Sequence, residues 1–192
     1  MSVSERTETP IFVALDRLIL LLMLMILVAV LTVTMVIQYA FGEIPCPLCL
    51  LQRFAMFGCC FGLVQQLRSG SSERGTGISL IFSILLLVIS VRQTLLDIVP
   101  SSGHEYVGSA IFGIHMSVWS VFIAMGLLLG FAVRLALFGG LRSAPEKDDS
   151  TIRRLTQGVT LYVVAICGVN FISVVAQCGV GDCHTFGYRL LP

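Results

Sequence analysis

Apolar residues run almost unbroken through five stretches of the chain, at roughly 18–40, 49–67, 78–98, 111–137 and 159–176. A helix needs about 20 such residues to cross the hydrocarbon core of a bilayer. Each stretch therefore predicts a transmembrane helix. The first is too long for the core of a signal peptide, and no small-residue cleavage site follows it, so it is expected to persist in the mature protein. Residues 69–77, 100–103 and 139–149 are rich in Gly, Pro, Ser or charge and read as connections. The pattern predicts an all-α membrane protein, a single integral domain over residues 1–192, with a polar tail at 177–192.

Composition agrees with this reading. The 192 residues are 56% hydrophobic and 12% charged, against about 25% charged in soluble domains. A formal net charge of +1 gives no electrostatic basis for a nucleic-acid partner. The placement of charge is more informative. With the N-terminus inside, Arg6, Arg17, Arg68, Arg74, Arg134, Arg142, Lys147, Arg153 and Arg154 fall inside or at the inner boundary. Only Arg53, Arg92 and Arg189 fall outside. Inner loops carry the excess of Lys and Arg, so the predicted topology is N-in, C-out.

That topology sorts the seven cysteines. Cys59, Cys60 and Cys167 lie at membrane depth, where a free thiol packs as a small apolar group. Cys46 and Cys49 stand at the outer mouth of the second helix, and Cys178 and Cys183 follow the fifth on the same side. Disulfides persist in an oxidising compartment. A bridge within either pair closes a very short loop and contributes little stability. Gly179 and Gly181 let "CGVGDC" bend back on itself. Such bridges suit being made and broken.

The stretch "GEIPCPLCLLQRFAMF" carries the densest chemistry. Pro47 fits the first position of a helix, where its missing N–H would have no partner. Cys46 then caps that helix and Cys49 lies in its first turn, where unpaired N–H groups favour a thiolate. Arg53 follows four residues later on the same face, about 6 Å deeper. An arginine there either snorkels to the interface or serves a thiolate and an oxidant near the membrane surface. Arg92 and His115 are predicted at similar depth, on the third and fourth helices. Together with Arg53 they are expected to line one outer-leaflet pocket, with Phe54, Phe57 and Trp119 as possible walls.

At these residues the chain resembles the DsbB family of bacterial inner-membrane thiol–quinone oxidoreductases. The resemblance rests on "CPLCLLQR" as C-x-x-C-x-x-x-R opening the second helix, with "VRQTLLDIVP" closing the third and "GIHMSVW" opening the fourth. It implies a four-helix transmembrane bundle, here with a fifth helix added, in the bacterial inner membrane. The best-known members carry their second cysteine pair in a long loop between helices three and four. Here that loop, "DIVPSSGHEYVGS", has no cysteine, and the tail "CGVGDCHTFGYRLLP" delivers Cys178 and Cys183 to the same side instead.

The resemblance further implies a periplasmic DsbA-like thioredoxin-fold oxidase as partner. It makes Cys46 and Cys49 redox residues and ubiquinone or menaquinone from the membrane pool the acceptor, beside Arg53. Topology adds Cys178 and Cys183 as the second redox pair, and predicted depth adds Arg92 and His115 to the quinone pocket. Such a partner is itself strongly oxidising, at about −120 mV, a value belonging to DsbA and not to this chain. Only an acceptor of still higher potential can draw electrons from it. Two other classes compete. The four outer cysteines with His184 form a plausible tetrahedral zinc set, and a transporter or scaffold would use the pairs as structural disulfides.

Overall fold

The computed structural model describes residues 10–40, 42, 45–69, 73–98, 110–111, 113–138 and 150–179. In chain order these form α1 (Pro10–Ala40), α2 (Pro47–Ser69), α3 (Glu73–Ile98), β1 (Ala110–Ile111), β2 (Ile114–His115), α4 (Met116–Phe138) and α5 (Ser150–Cys178). All five helices are long and apolar enough to cross a membrane. The protein is a helical membrane protein, as the hydropathy pattern predicts.

Several helices start before their apolar runs do. Apolarity marks only the segment within hydrocarbon, while the helix continues into the polar interface. Thus α1 opens at Pro10, and α3 opens with Glu73 in its first turn, where a carboxylate complements the helix dipole. The fourth helix departs the other way. Ile111, Gly113, Ile114 and His115, expected to be helical, belong to a small antiparallel hairpin that pairs Ala110 with His115 and Ile111 with Ile114. Gly113 turns the chain there at φ 75°, a conformation that glycine adopts without steric cost.

The packing order is α1, α2, α3, α4, with α4 returning to α1 and α5 lying along α1 and α2. Leu24, Leu27 and Leu31 of α1 meet Ala55, Cys59, Cys60 and Leu63 of α2, Leu86 of α3 and Phe131 of α4 in one buried cluster. Cys59 and Cys60 pack as small core residues, whereas Cys167 faces outward on α5. The closest approach joins α2 to α3. A Cβ on Gly62 would stand 2.7 Å from the Gly75 carbonyl oxygen, and one on Gly58 would stand 2.2 Å from the Phe82 ring. Close contact between small residues is how membrane helices gain dispersion energy that lipid cannot supply.

At the end of the bundle remote from Cys46, Arg134 is buried rather than displayed to inner solvent. Its Nε donates to Asp16 Oδ1 at 2.6 Å and its Nη2 to Asp16 Oδ2 at 3.1 Å. Its Nη1 also reaches Gln66 Oε1 and Thr76 Oγ1, so α1, α2, α3 and α4 are tied by one charge. Arg134→Leu breaks this buried ion pair by removing one partner, which should cost about 3–5 kcal/mol. Thermal unfolding in detergent should show that loss, with much of it recovered when Asp16→Leu is added.

Candidate functional site

Cys46 caps α2 as expected for the residue before Pro47. Its carbonyl accepts the first helical hydrogen bond, from the Leu50 N–H at 3.1 Å. Its sulfur accepts the N–H of Cys49 at 3.2 Å, the position a serine hydroxyl takes in an ordinary cap. The same geometry places the two sulfurs together. Cys46 and Cys49 form a disulfide with their Cα atoms 5.1 Å apart, and both residues are partly exposed at the mouth of the bundle.

A buried polar chain leads inward from this bond. Gln93 Nε2 on α3 donates toward Cys49 Sγ at 3.5 Å and Cys46 Sγ at 3.6 Å. Gln93 Oε1 accepts from Gln52 Nε2 at 3.0 Å, and Gln52 Nε2 also reaches Ser90 Oγ at 3.3 Å. Ser120 of α4 donates to Gln52 Oε1 at 3.2 Å. Gln52, Ser90, Gln93 and Ser120 are all buried. None was singled out from the sequence. The available signal was their spacing, since Ser90 and Gln93, like Ser117 and Ser120, stand three apart on apolar helices and so share a face.

Arg53 does not snorkel. Only 8% exposed, it donates from Nη1 to Gln38 Oε1 and, at 3.3 Å, to Asn170 Oδ1. From Nη2 it reaches the Thr34 carbonyl at 3.1 Å. It thus binds α2 to both α1 and α5. Arg53 Nη1 also contacts Met35 Sδ at 3.6 Å. Met35 lines a groove of about 600 Å³ between α1 and α5, whose wall includes Tyr39, Tyr162 and Ile166. Tyr162 OH and Thr32 Oγ1 share a hydrogen bond of 3.0 Å across it, and Tyr39 bonds Ser173.

The three polar residues expected to share one pocket are not brought together. Arg92 is exposed on α3, in a shallow groove of about 620 Å³ lined by that helix alone. His115 is exposed on β2, ahead of α4 and not within it. The turn at Gly113 precedes it, so it stands before the helix in which the apolar run placed it. The aromatic residues separate too. Phe54 pairs edge-on with Phe82 of α3, Trp119 pairs with Phe122 of its own helix, and Phe57 is buried in the core.

The fifth helix ends beside the disulfide. Gln177, fully buried, donates from Nε2 to the carbonyl of Pro45 at 2.9 Å, one residue before Cys46. Gly179 closes α5 at φ 59°, its N–H bonded to the Val175 carbonyl at 2.8 Å, as in a glycine C-cap. Cys178 is the last residue of that helix. Cys183 and His184 lie outside the described residues. Among the described residues no group of three or more His, Cys, Asp or Glu is placed to hold a metal ion.

A five-helix membrane bundle with a disulfide at the N-terminus of its second helix defines a class, the membrane thiol–disulfide proteins. Residues 16–105 match the family described as Disulfide bond formation protein DsbB. The match covers Cys46, Cys49, Arg53, Arg92 and Gln93 and stops before His115, Cys178 and Cys183. Neither a curated protein nor a solved structure matches the chain. The match implies a disulfide-bond-forming oxidoreductase, and the five long apolar helices suit a membrane setting.

Proposed function

We propose that this chain takes two electrons from a soluble dithiol oxidase and passes them through two cysteine pairs to a membrane quinone. The observation that carries the reading is the bond from Gln177 to the Pro45 carbonyl, which ends α5 beside the Cys46–Cys49 disulfide. It ties the helix that leads into the tail pair to the mouth where the first pair sits. The partner is a DsbA-like thioredoxin-fold protein. Its thiolate attacks the Cys178–Cys183 disulfide and its second thiol resolves the mixed disulfide, after which the tail dithiol reduces the Cys46–Cys49 bond by the same two exchanges. Each exchange breaks one S–S bond, forms another and releases one thiolate.

Cys46 and Cys49 then give up two electrons and close their disulfide again. A quinone, when bound, supplies the two-electron acceptor that this closure needs. The groove between α1 and α5 fits such a molecule. Its volume lies in the usual range for small-ligand sites, its wall is apolar with two tyrosines, and the Arg53 guanidinium stands against Met35 at its edge. We assign Arg53 as the donor on that side, with Arg92 and His115 outside this groove. The mouth faces the periplasm of a bacterial inner membrane, with the N-terminus inside.

A zinc half-site needs both thiolates free, whereas Cys46 and Cys49 are bonded to each other. Two results test the assignment. Cys178→Ala should block oxidation of the partner while small thiols still reduce Cys46–Cys49. Partner oxidation that survives removal of either tail cysteine would exclude the tail. Arg53→Ala removes a charged hydrogen-bond donor worth about 1.5–3 kcal/mol, so the KM for quinone should rise at least about tenfold. An unchanged KM would count against Arg53.

A further inference from the structure

The sulfurs of Cys46 and Cys49 have a side-chain neighbour on a different helix, and its orientation is fixed from behind. Ser120 donates to Gln52 Oε1 at 3.2 Å, which turns the Gln52 NH2 toward α3. There it donates to Gln93 Oε1 at 3.0 Å. With its oxygen so engaged, Gln93 presents its own NH2 to Cys49 Sγ at 3.5 Å and Cys46 Sγ at 3.6 Å. An amide NH2 has two hydrogens and no charge, and here it lies within reach of both atoms of the bond that must open. The hydrogen bonds of Arg53 described above run instead to α1 and α5.

We propose that Gln93 is a catalytic residue: its amide stabilises whichever sulfur leaves as thiolate when the Cys46–Cys49 bond opens, and Gln52 and Ser120 hold the amide in register. When an incoming thiolate attacks one sulfur, the S–S bond breaks and a new S–S bond forms. The other sulfur departs with the electron pair. Gln93 donates a hydrogen bond to that thiolate and transfers no proton, so the charge stays on sulfur. A donor that is stronger for thiolate than for disulfide favours opening, raises the reduction potential of the pair and lowers the pKa of the leaving thiol. In the reverse direction it keeps the thiolate available to return electrons. A neutral donor also adds no desolvated charge to a buried, three-helix polar chain.

The inference rests on the redox reading of Cys46–Cys49 and makes no use of the acceptor. Its test therefore contains no quinone. Full-length protein in detergent is reduced, and the alkylation rate of the Cys46–Cys49 peptide is followed by mass spectrometry as a function of pH. In parallel the disulfide is equilibrated with dithiothreitol.

Gln93→Leu should raise the pKa of the more acidic thiol by about one, since a hydrogen bond to a charged group is worth about 1.5 kcal/mol or more. It should also make the disulfide about tenfold harder to reduce, equivalent to about 30 mV. Gln93→Glu, of the same size, should raise that pKa further once its carboxylate ionises, and so serves if the leucine variant does not fold. Ser120→Ala and Gln52→Leu should shift both readouts in the same direction as Gln93→Leu. A role confined to holding α2 against α3 would lower thermal stability and leave the pKa and the equilibrium within twofold of wild type. That outcome, or a pKa unmoved in Gln93→Glu, would overturn the assignment. Failure of the wild-type dithiol to reduce any quinone would strike the proposed acceptor and leave these two readouts standing.

Discussion

Cys49→Ala and Cys46→Ala are each expected to abolish electron transfer to quinone, to below about one part in a thousand of the wild-type rate. The loss is this large because no single thiol can substitute. In the proposed path, closing the Cys46–Cys49 disulfide is the step that releases two electrons, and a disulfide needs both sulfurs. The two variants should fail at the same step. Each retains one thiol at the mouth of the bundle, where α5 is held by the bond from Gln177 to Pro45. Attack by a tail thiolate has no disulfide to open in either variant. A remaining Cys46, as the cap of α2, keeps its contact with the backbone N–H at position 49, whereas a remaining Cys49 keeps its position in the first turn. Gel-shift counting of free thiols after exposure to the reduced partner, beside the optical quinone assay, checks both. Quinone reduction persisting in either variant would remove Cys46–Cys49 from the electron path.

A second large effect concerns the fold that presents the site. Gly62→Ala should severely destabilise the protein, because its new methyl would lie 2.3 Å from Ser79 Oγ and 2.7 Å from the Gly75 carbonyl oxygen. The serine can rotate, but the carbonyl belongs to the backbone of α3 and cannot yield without moving that helix. Overpacking of this kind costs about 1–3 kcal/mol where side chains can adjust, and more is expected against backbone. Gly126→Ala is the matched control, since nothing stands within 4 Å of a Cβ there. Thermal unfolding in detergent should separate the two by a wide margin. Because α3 also carries Gln93, any folded remnant of Gly62→Ala should show an altered disulfide equilibrium. Equal melting temperatures for the two variants would mean that α2 and α3 are not packed as described.

The helices were legible because lipid leaves the chain little choice. Every backbone polar group inside hydrocarbon must be satisfied within the segment, so an apolar run of sufficient length is a helix. The cap at Cys46 was legible for a local reason, since Pro47 restricts the backbone and its missing N–H marks the first turn. What the sequence concealed was rotation. Arg53 and Cys49 stand four apart on α2, yet the described hydrogen bonds of Arg53 run to Gln38, Thr34 and Asn170. The donor at the sulfurs comes from Gln93 on α3. Which side chain of one helix meets which of another depends on crossing angle and register, and neither leaves a mark in one sequence. The polar residues did leave a weaker trace. Asn170, Ser173 and Gln177 recur at helical spacing along one face of α5, and that face is the buried one.

Arg134 teaches the complementary lesson. Counted by position, it is one more positive charge on the inner side. In the structure its charge is matched by Asp16 from α1, 118 positions away in sequence. The orientation argument loses little by this, because Arg68, Arg74 and Arg154 remain exposed toward that same end. The hairpin at 110–115 was hidden for a different reason. Its residues are as apolar as those of the helix it precedes, and only the backbone at Gly113 distinguishes them.

The central claim is that the Cys46–Cys49 pair hands its electrons to a quinone, and a single anaerobic mixing experiment tests it most directly. Protein with Cys178 and Cys183 both replaced by alanine is reduced, freed of reductant and mixed with ubiquinone or menaquinone in detergent. Quinone absorbance and the thiols of Cys46 and Cys49 are followed together. The account predicts one quinone reduced for each disulfide formed. Thiols that stay reduced with ubiquinone and with menaquinone alike, both quinones unchanged in absorbance, would contradict it.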